Sequence, residues 1–499
     1  MKNVDVSAAF LQRLAAMIRF PLFAPLAALA LGGCGGPADP GDVAPRVEPQ
    51  ERELGAEQHP QLLAQFGGAY RAPEAAYVAT LGERLAAEAG LTGQCTFTLV
   101  NSDVVNAFAV PGCYIYVTRG LVGIVNSEAE LASVLGHELG HIVADHSERQ
   151  QKRSVWREVG VLAIGLVTGS ERLTAVAARA AGLFGLRYSR RQEYEADDLG
   201  IRYLAGIGYD PFAAADMLGA LGRHEQFMTV TSGRDIAKGV PEWARTHPLT
   251  ESRIERARDT AAATGARDDQ FPENEAGYLR EVDGLLFGDD PEQGFVLGRR
   301  FAHPVMRIGF EAPPSFTLTN SPQAILIDGP DGVRGQFGGG PLGADGLDGY
   351  AARVLKQTLG NSRADVGTAQ RGTVNGLPAI FVPARVAGQQ GEADLTIAAY
   401  SAPGGGAYHF IMVSGPNSAG AEALGALFNS FHLLSPQQVA SLRPRVIRTV
   451  PVRPGETAQS FAGRMASDHP LEQFLALNGL SAGEALTGRP AVKIVSFTR

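Results

Sequence analysis

The chain has 499 residues, 45% of them hydrophobic, with 61 Gly and 30 Pro. It is too long for one ordinary core and fits several folded domains joined by open linkers. A formal net charge of -8 leaves no basic footprint and argues against nucleic acid as a partner, so function has to be read from local motifs.

The N-terminal stretch "MKNVDVSAAFLQRLAAMIR" places Lys2, Arg13 and Arg19 ahead of the apolar run "FPLFAPLAALAL". That run is too short to span a bilayer and has the character of the apolar region of an export signal. Leu31, Gly32, Gly33 and Cys34 resemble the lipobox of bacterial lipoproteins. The resemblance implies that residues 1–33 are a signal peptide and that Cys34 is lipidated; Gly35 in place of Asp implies the outer membrane. Residues 34–60, rich in Pro, Gly and acids without an apolar period, predict a disordered tether.

Two apolar runs follow, "CTFTLV" and "CYIYVT", each opened by a cysteine, and both predict strands. If those strands lie parallel in one sheet, Cys95 and Cys113 are neighbours and a disulfide suits an exported chain. Otherwise they are two reduced core thiols.

"NSEAELASVLGHELGHIVADH" has a capping-box start, Ser127 with Glu130 three residues on, and predicts a helix. His137 and His141 are four apart and share one face, spaced to hold one zinc with Glu138 beside them as general base. A chance HExxH is expected only roughly 0.01 times in a chain of this composition. Gly140 inside the helix costs up to about 1 kcal/mol unless close packing requires it. A second predicted helix, "RQEYEADDLGIRYLAG", puts Glu193 and Asp197 four apart, so that one carboxylate can bind the metal and the other can orient an imidazole.

In this order, "NAFAVPGCYIYVTRGLV", "ELASVLGHELGHIVADH", "EYEADDLGIRYLAGIGYDP" and "THPLTESRIERAR" resemble the gluzincin zinc metallopeptidase family. That family includes the CaaX prenyl endopeptidases, HtpX and the periplasmic beta-barrel-assembly-enhancing protease. The resemblance covers residues 61–265 and implies a mainly helical zinc metallopeptidase domain with a small β-sheet. It implies one Zn2+ per chain held by His137, His141 and Glu193, with Asp197 behind a ligand imidazole. Glu138 is then the base, and His247 and Arg253 stand over the metal as catalytic groups; His247 can alternatively fill the open metal position at rest. Asn106, Ala107 and Phe108 fall in the family's edge strand for extended substrate, and Cys113 stands where relatives often have glycine. Between the motif helices, "VGVLAIGLVTG" and "LTAVAARAAGLFGL" are too short for membrane spans and predict a lid-like hairpin or core helices.

Residues 290–436 change character: three hairpins around Asp-Gly, Asn-Gly and Gly-rich turns, then a helix, predict an α+β domain that weakly resembles PsbP-like sandwiches. "GGGPLG" matches a dinucleotide fingerprint in form, but Pro341 and the absent strand-to-helix context predict a loop. Residues 446–496 resemble a LysM module with βααβ order, departing from the usual pattern at Ala458 and around Asp468 and Pro470. LysM modules generally bind glycans such as peptidoglycan.

The fold expected is therefore multidomain α+β. The resemblance implies a periplasmic, outer-membrane-tethered zinc metalloendopeptidase hydrolysing misfolded or misassembled envelope proteins. Its partners are polypeptide substrates, the outer membrane through the lipid anchor, and peptidoglycan through the tail. The rival reading is a non-hydrolytic outer-membrane assembly factor or a peptidoglycan-binding scaffold.

Overall fold

The computed structural model describes residues 46–147, 188–231, 243, 246–360, 362–388, 391–416 and 419–498. Pro49 occupies a first helical turn, where its missing N–H loses no bond, and starts α1, Pro49–Gln65. The tether expected over residues 34–60 is corrected in its second half. Composition made this stretch look open, but Leu62 is buried, and a Cβ on Gly55 would lie 2.5 Å from the Pro111 carbonyl oxygen. Close contact with the next domain, which no local pattern reveals, makes it helical. The signal segment, Cys34 and the start of the tether lie outside the described residues, as does the predicted hairpin between the motif helices.

A second helix, α2 (Pro73–Glu88), leads into a three-stranded sheet of β1 (Thr96–Val100), β2 (Ala107–Val110) and β3 (Tyr114–Thr118), in the order β1-β3-β2. β1 and β3 are parallel with Thr96 opposite Tyr114, so the preceding cysteines are neighbours, and Cys95 and Cys113 form a disulfide. Cys113 has a left-handed backbone (φ 58°), a conformation glycine adopts without steric cost. β2 pairs antiparallel with β3, and no other described strand pairs with it.

Short helix α3 (Arg119–Ile124) turns the chain into α4 (Glu128–Val143), which is buried from Glu128 through His141. Its cap differs slightly from the expected box. Ser127 accepts from the Glu130 N–H, but the Glu130 carboxylate accepts from Asn126 N, one residue before the cap. Across α4 runs α5 (Arg190–Gly206), opened by a complete Ser189/Gln192 capping box. Glycine sets the closeness of this crossing: a Cβ on Gly140 would lie 2.8 Å from Ala196 O, and one on Gly200 2.9 Å from His137 N. Two further helices, α6 (Ala213–Thr231) and α7 (Glu251–Ala263), pack around this pair.

Eight strands between Thr317 and Ser414 form an antiparallel sheet, covered on one face by helix Gly346–Leu359 and on the other by an aromatic cluster including Phe310, Phe337, Phe410 and Phe431. The Asn-Gly hairpin places Asn375 and Gly376 at φ 48° and 83°, as a tight turn requires. The loop expected at "GGGPLG" is corrected: Gly338–Pro341 end strand Arg334–Pro341. Glycine is needed there because a Cβ on Gly339 would meet the Tyr408 ring at 2.7 Å.

The last segment folds in β-α-α-β order: Arg445–Pro451, Ala458–Ala462, Pro470–Leu477 and Ala491–Phe497. Its first strand also pairs with Leu286–Phe287. Fully buried Lys493 donates to the carbonyls of Gly123 (2.9 Å) and Val125 (2.6 Å) at the C-terminal end of α3. Burial pushes its amine down to about 7. The segment is thereby joined to the helix that leads into α4, within the compact unit Pro45–Arg499. The whole is mixed α+β with several sheets, and no described helix is long and apolar enough to cross a membrane.

Candidate metal centre

One turn of helix separates His137 from His141, so both imidazoles leave α4 on the side where α5 crosses. The glycine seam brings α5 close enough for Glu193 to reach both: its carboxylate oxygens lie 3.7 Å from His137 Nε2 and 3.6 Å from His141 Nε2. A fourth group enters from the segment before α7. His247 Nδ1 is 3.2 Å from His137 Nε2 and 3.0 Å from Glu193 Oε1. One donor atom from each of His137, His141, Glu193 and His247 falls within 4.8 Å of the others, and all four residues are buried.

Three imidazole nitrogens and a carboxylate converging in this way fit a borderline divalent cation. Without one, the buried nitrogens and oxygens would face one another with few protons to share. Burial, with the neighbouring imidazoles acting in the same direction, pushes the His141 imidazole well below its ordinary value, leaving the ring neutral and able to ligate.

Glu138 points to the same space, with Oε1 3.6 Å from His247 Nε2, and is 1% exposed. Burial raises its carboxyl to about 7, with the nearby Glu193 adding to the shift and His137 and Arg253 opposing it. A carboxyl with that proton affinity is matched to accepting and returning a proton at neutral pH.

Behind the cluster, Asp197 Oδ1 is 2.8 Å from His137 Nδ1. Arg253 donates from Nε and Nη2 to the same carboxylate at 2.7 and 2.8 Å, and its Nη1 lies 2.7 Å from Glu193 Oε2. Burial alone would raise Asp197, but the Arg253 charge and its hydrogen bonds hold it well below the usual carboxylate range. Glu193 is likewise lowered against the penalty of burial, by His247 and Arg253. Arg253 was expected over the metal as a catalytic group, yet its guanidinium is committed to two carboxylates. It is placed to hold α5 in register.

Aromatic rings fix the remaining freedom. Trp243 stacks on His247 (4.8 Å between centroids, 20°), carries Arg253 5.0 Å above its ring, and donates its backbone N–H to Val105 O. Tyr188 stacks on His141 (3.9 Å, 23°). Beside Val105, Asn106 donates its backbone N–H to the Thr118 hydroxyl, accepts from the Thr118 backbone N–H, and leaves its side-chain oxygen buried without a hydrogen-bond partner. Ala107 faces the core, while Phe108 stacks on Tyr116 at 4.8 Å.

Residues 72–261 match the model of peptidase family M48. These residues form a peptidase family M48 domain. The chain is 34% identical over 195 residues to the beta-barrel assembly-enhancing protease of Yersinia pestis, covering 37% of this chain and 38% of that protein. It is 35% identical over 125 residues to the mitochondrial metalloendopeptidase OMA1 of Arabidopsis thaliana, covering 25% of each. The chain thus spans little more than a third of the length of the assembly-enhancing protease it matches. The solution structure of cyanobacterial PsbP from Synechocystis, 15% identical, covers 29% of this chain and 98% of that one at a TM-score of 0.23.

Within the M48 domain, sequence reasoning brought together His137, Glu138, His141, Glu193, Asp197, His247 and Arg253, and the fold collects all seven. It missed Trp243, Tyr188, His146 and Glu195. Of these only His146 left a signal, as a third histidine five residues after His141, but it falls beyond the last turn of α4, where helical spacing says nothing.

Proposed function

We propose that the chain is a zinc-dependent metalloendopeptidase. The observation that carries this reading is the convergence of His137, His141, Glu193 and His247 with buried Glu138 beside them. Two neutral imidazoles and a carboxylate suit zinc, which His137, His141 and Glu193 would hold. The ion supplies Lewis acidity toward a water and a peptide carbonyl. Glu138 accepts the proton of the attacking water and returns it to the leaving amine. Asp197 holds the His137 ring, and Arg253 holds Asp197 and Glu193 in place. Extended substrate pairs along the outer edge of β2, beside Asn106, Ala107 and Phe108.

The name of the beta-barrel assembly-enhancing protease supports a role with β-barrel proteins, and the residues that resemble an export signal ending at Cys34 support a periplasmic lipoprotein on the outer membrane. In this reading the substrates are misfolded or misassembled envelope proteins. The LysM-like tail, with a groove of about 880 Å³ lined by residues such as Arg453, Thr457 and Glu484, supports peptidoglycan as a further partner. Replacing Cys34 with Ser should move the protein from the membrane pellet to the soluble fraction; unchanged sedimentation refutes the anchor.

One observation favours the second reading, a non-hydrolytic assembly factor or scaffold: His247 supplies a fourth donor where an open position is needed. The chain lacking residues 1–34, incubated with unfolded casein beside Glu138→Gln, tests both. Cleavage by the parent, lost at least 1000-fold in the variant with equal bound zinc, is expected. Zinc without cleavage in the parent and in His247→Ala would leave the scaffold reading.

A further inference from the structure

The two histidines of α4 are supported differently. His137 has the carboxylate of Asp197 and, behind it, Arg253. His141 Nδ1 instead lies 2.8 Å from a ring nitrogen of another histidine, Nδ1 of His146, whose Nε2 is 3.2 Å from Glu195 Oε2. The backbone brings this about: α4 ends at Val143, Asp145 takes a left-handed conformation (φ 52°), and the chain doubles back so that His146, fully buried, sits beneath His141. Gln192 of α5 donates to the His146 carbonyl at 3.4 Å and ties the turn down.

We propose that His146 and Glu195 are positioning residues that fix the tautomer and orientation of His141. The proposal rests on the metal-binding reading above. The argument is one of proton counting. Two ring nitrogens 2.8 Å apart share one hydrogen, so one donates and the other accepts. His141 Nε2 faces the cluster, 3.0 Å from His137 Nε2, and a ligating nitrogen carries no proton. The single proton of neutral His141 is then on Nδ1 and is donated to His146 Nδ1. His146, accepting there, keeps its own proton on Nε2 and donates it to Glu195, whose side chain is 41% exposed. A carboxylate at the surface thereby sets, through one buried ring, which nitrogen of His141 is presented to the metal.

The arrangement also accounts for the acid run of α5. In "EYEAD", Glu193 faces the cluster itself, Glu195 meets His146 and Asp197 meets His137 Nδ1, so all three acids reach imidazoles of the site.

The test uses the full chain stripped of metal, with zinc affinity measured by chelator competition and the visible spectrum recorded with Co2+. His146→Leu should weaken zinc about 10–100-fold and alter the cobalt spectrum. His146→Asn, whose amide oxygen can accept where Nδ1 did, should recover affinity to within about threefold of the parent. Glu195→Ala, a change at a partly exposed position that should not disturb folding, should weaken zinc by about threefold or more, whereas Glu195→Gln, which still accepts, should not. Parent-like affinity and spectrum in His146→Leu and Glu195→Ala would overturn the relay while leaving the metal site standing, and so would His146→Asn as weak as His146→Leu. A parent chain that binds no metal would overturn both the relay and the reading beneath it.

Discussion

Along the seam of α4 and α5 the protein buries His137, His141, Glu193, Asp197 and Arg253 together, whereas the sheet over residues 317–414 buries Phe337, Tyr400, Phe410 and Met412. The sheet gains stability from nearly every side chain it hides. The seam accepts a desolvation penalty for each buried charge, offset only because each has a partner at hydrogen-bonding distance. Backbone packing differs in the same sense. Gly140 and Gly200 bring two helices into contact for the sake of the site, and in the sheet Gly335 beside the Ile411 carbonyl and Gly339 beside Tyr408 allow neighbouring strands and side chains to pack. Removing a single group should therefore do different things in the two regions.

The largest contrast is expected from Arg253→Ala set beside Phe410→Ala. Each should cost about 3–5 kcal/mol, the first by taking the guanidinium charge away from two buried carboxylates and the second by opening a cavity. Only Arg253→Ala should also abolish zinc binding, as denaturant melts and metal analysis on both variants would reveal. Equal zinc content in the two would erase the distinction.

A smaller effect is expected at glycine. A methyl on Gly140 must displace Ala196 of α5, at a cost of about 1–3 kcal/mol and a loss of metal affinity. A methyl on Gly338 meets only the His409 ring at 3.6 Å, an ordinary contact, and should leave metal binding unchanged. Calorimetric melting of both, with zinc titration, checks the pair.

The smallest is a pH effect confined to the sheet domain. Burial pushes His409 down to about 4, and its Nδ1 is 2.7 Å from the Tyr350 hydroxyl. Between its ordinary value of 6.5 and about 4, the unfolded chain takes up a proton that the folded ring refuses. The ring's contribution is complete above pH 6.5 and is lost as pH falls toward 4, by roughly 2 kcal/mol once partial exposure is allowed for. His409→Gln should flatten that part of the stability curve; an unchanged slope would assign the acid sensitivity elsewhere.

Much of this was legible in the residues alone. HELGH and the Glu193 and Asp197 pair report local spacing, which the helical period translates directly into shared faces. The strands opened by Cys95 and Cys113 were legible too, but their parallel pairing, on which the disulfide depends, was not. The Asp-Gly and Asn-Gly hairpins were equally plain, because only a few residues accept the backbone their turns demand. Tertiary structure alone decided the rest. It made residues 49–65 a helix through contact with Pro111 and Tyr114, and turned Arg253 from a group over the metal into a clamp on two carboxylates. It also brought Trp243, Tyr188 and His146 against the ligand rings and set Lys493 beneath α3, 368 residues from Val125. None of these has a period to read, since each depends on where distant backbone segments come to lie once the apolar faces of α4, α5 and the sheets have been buried.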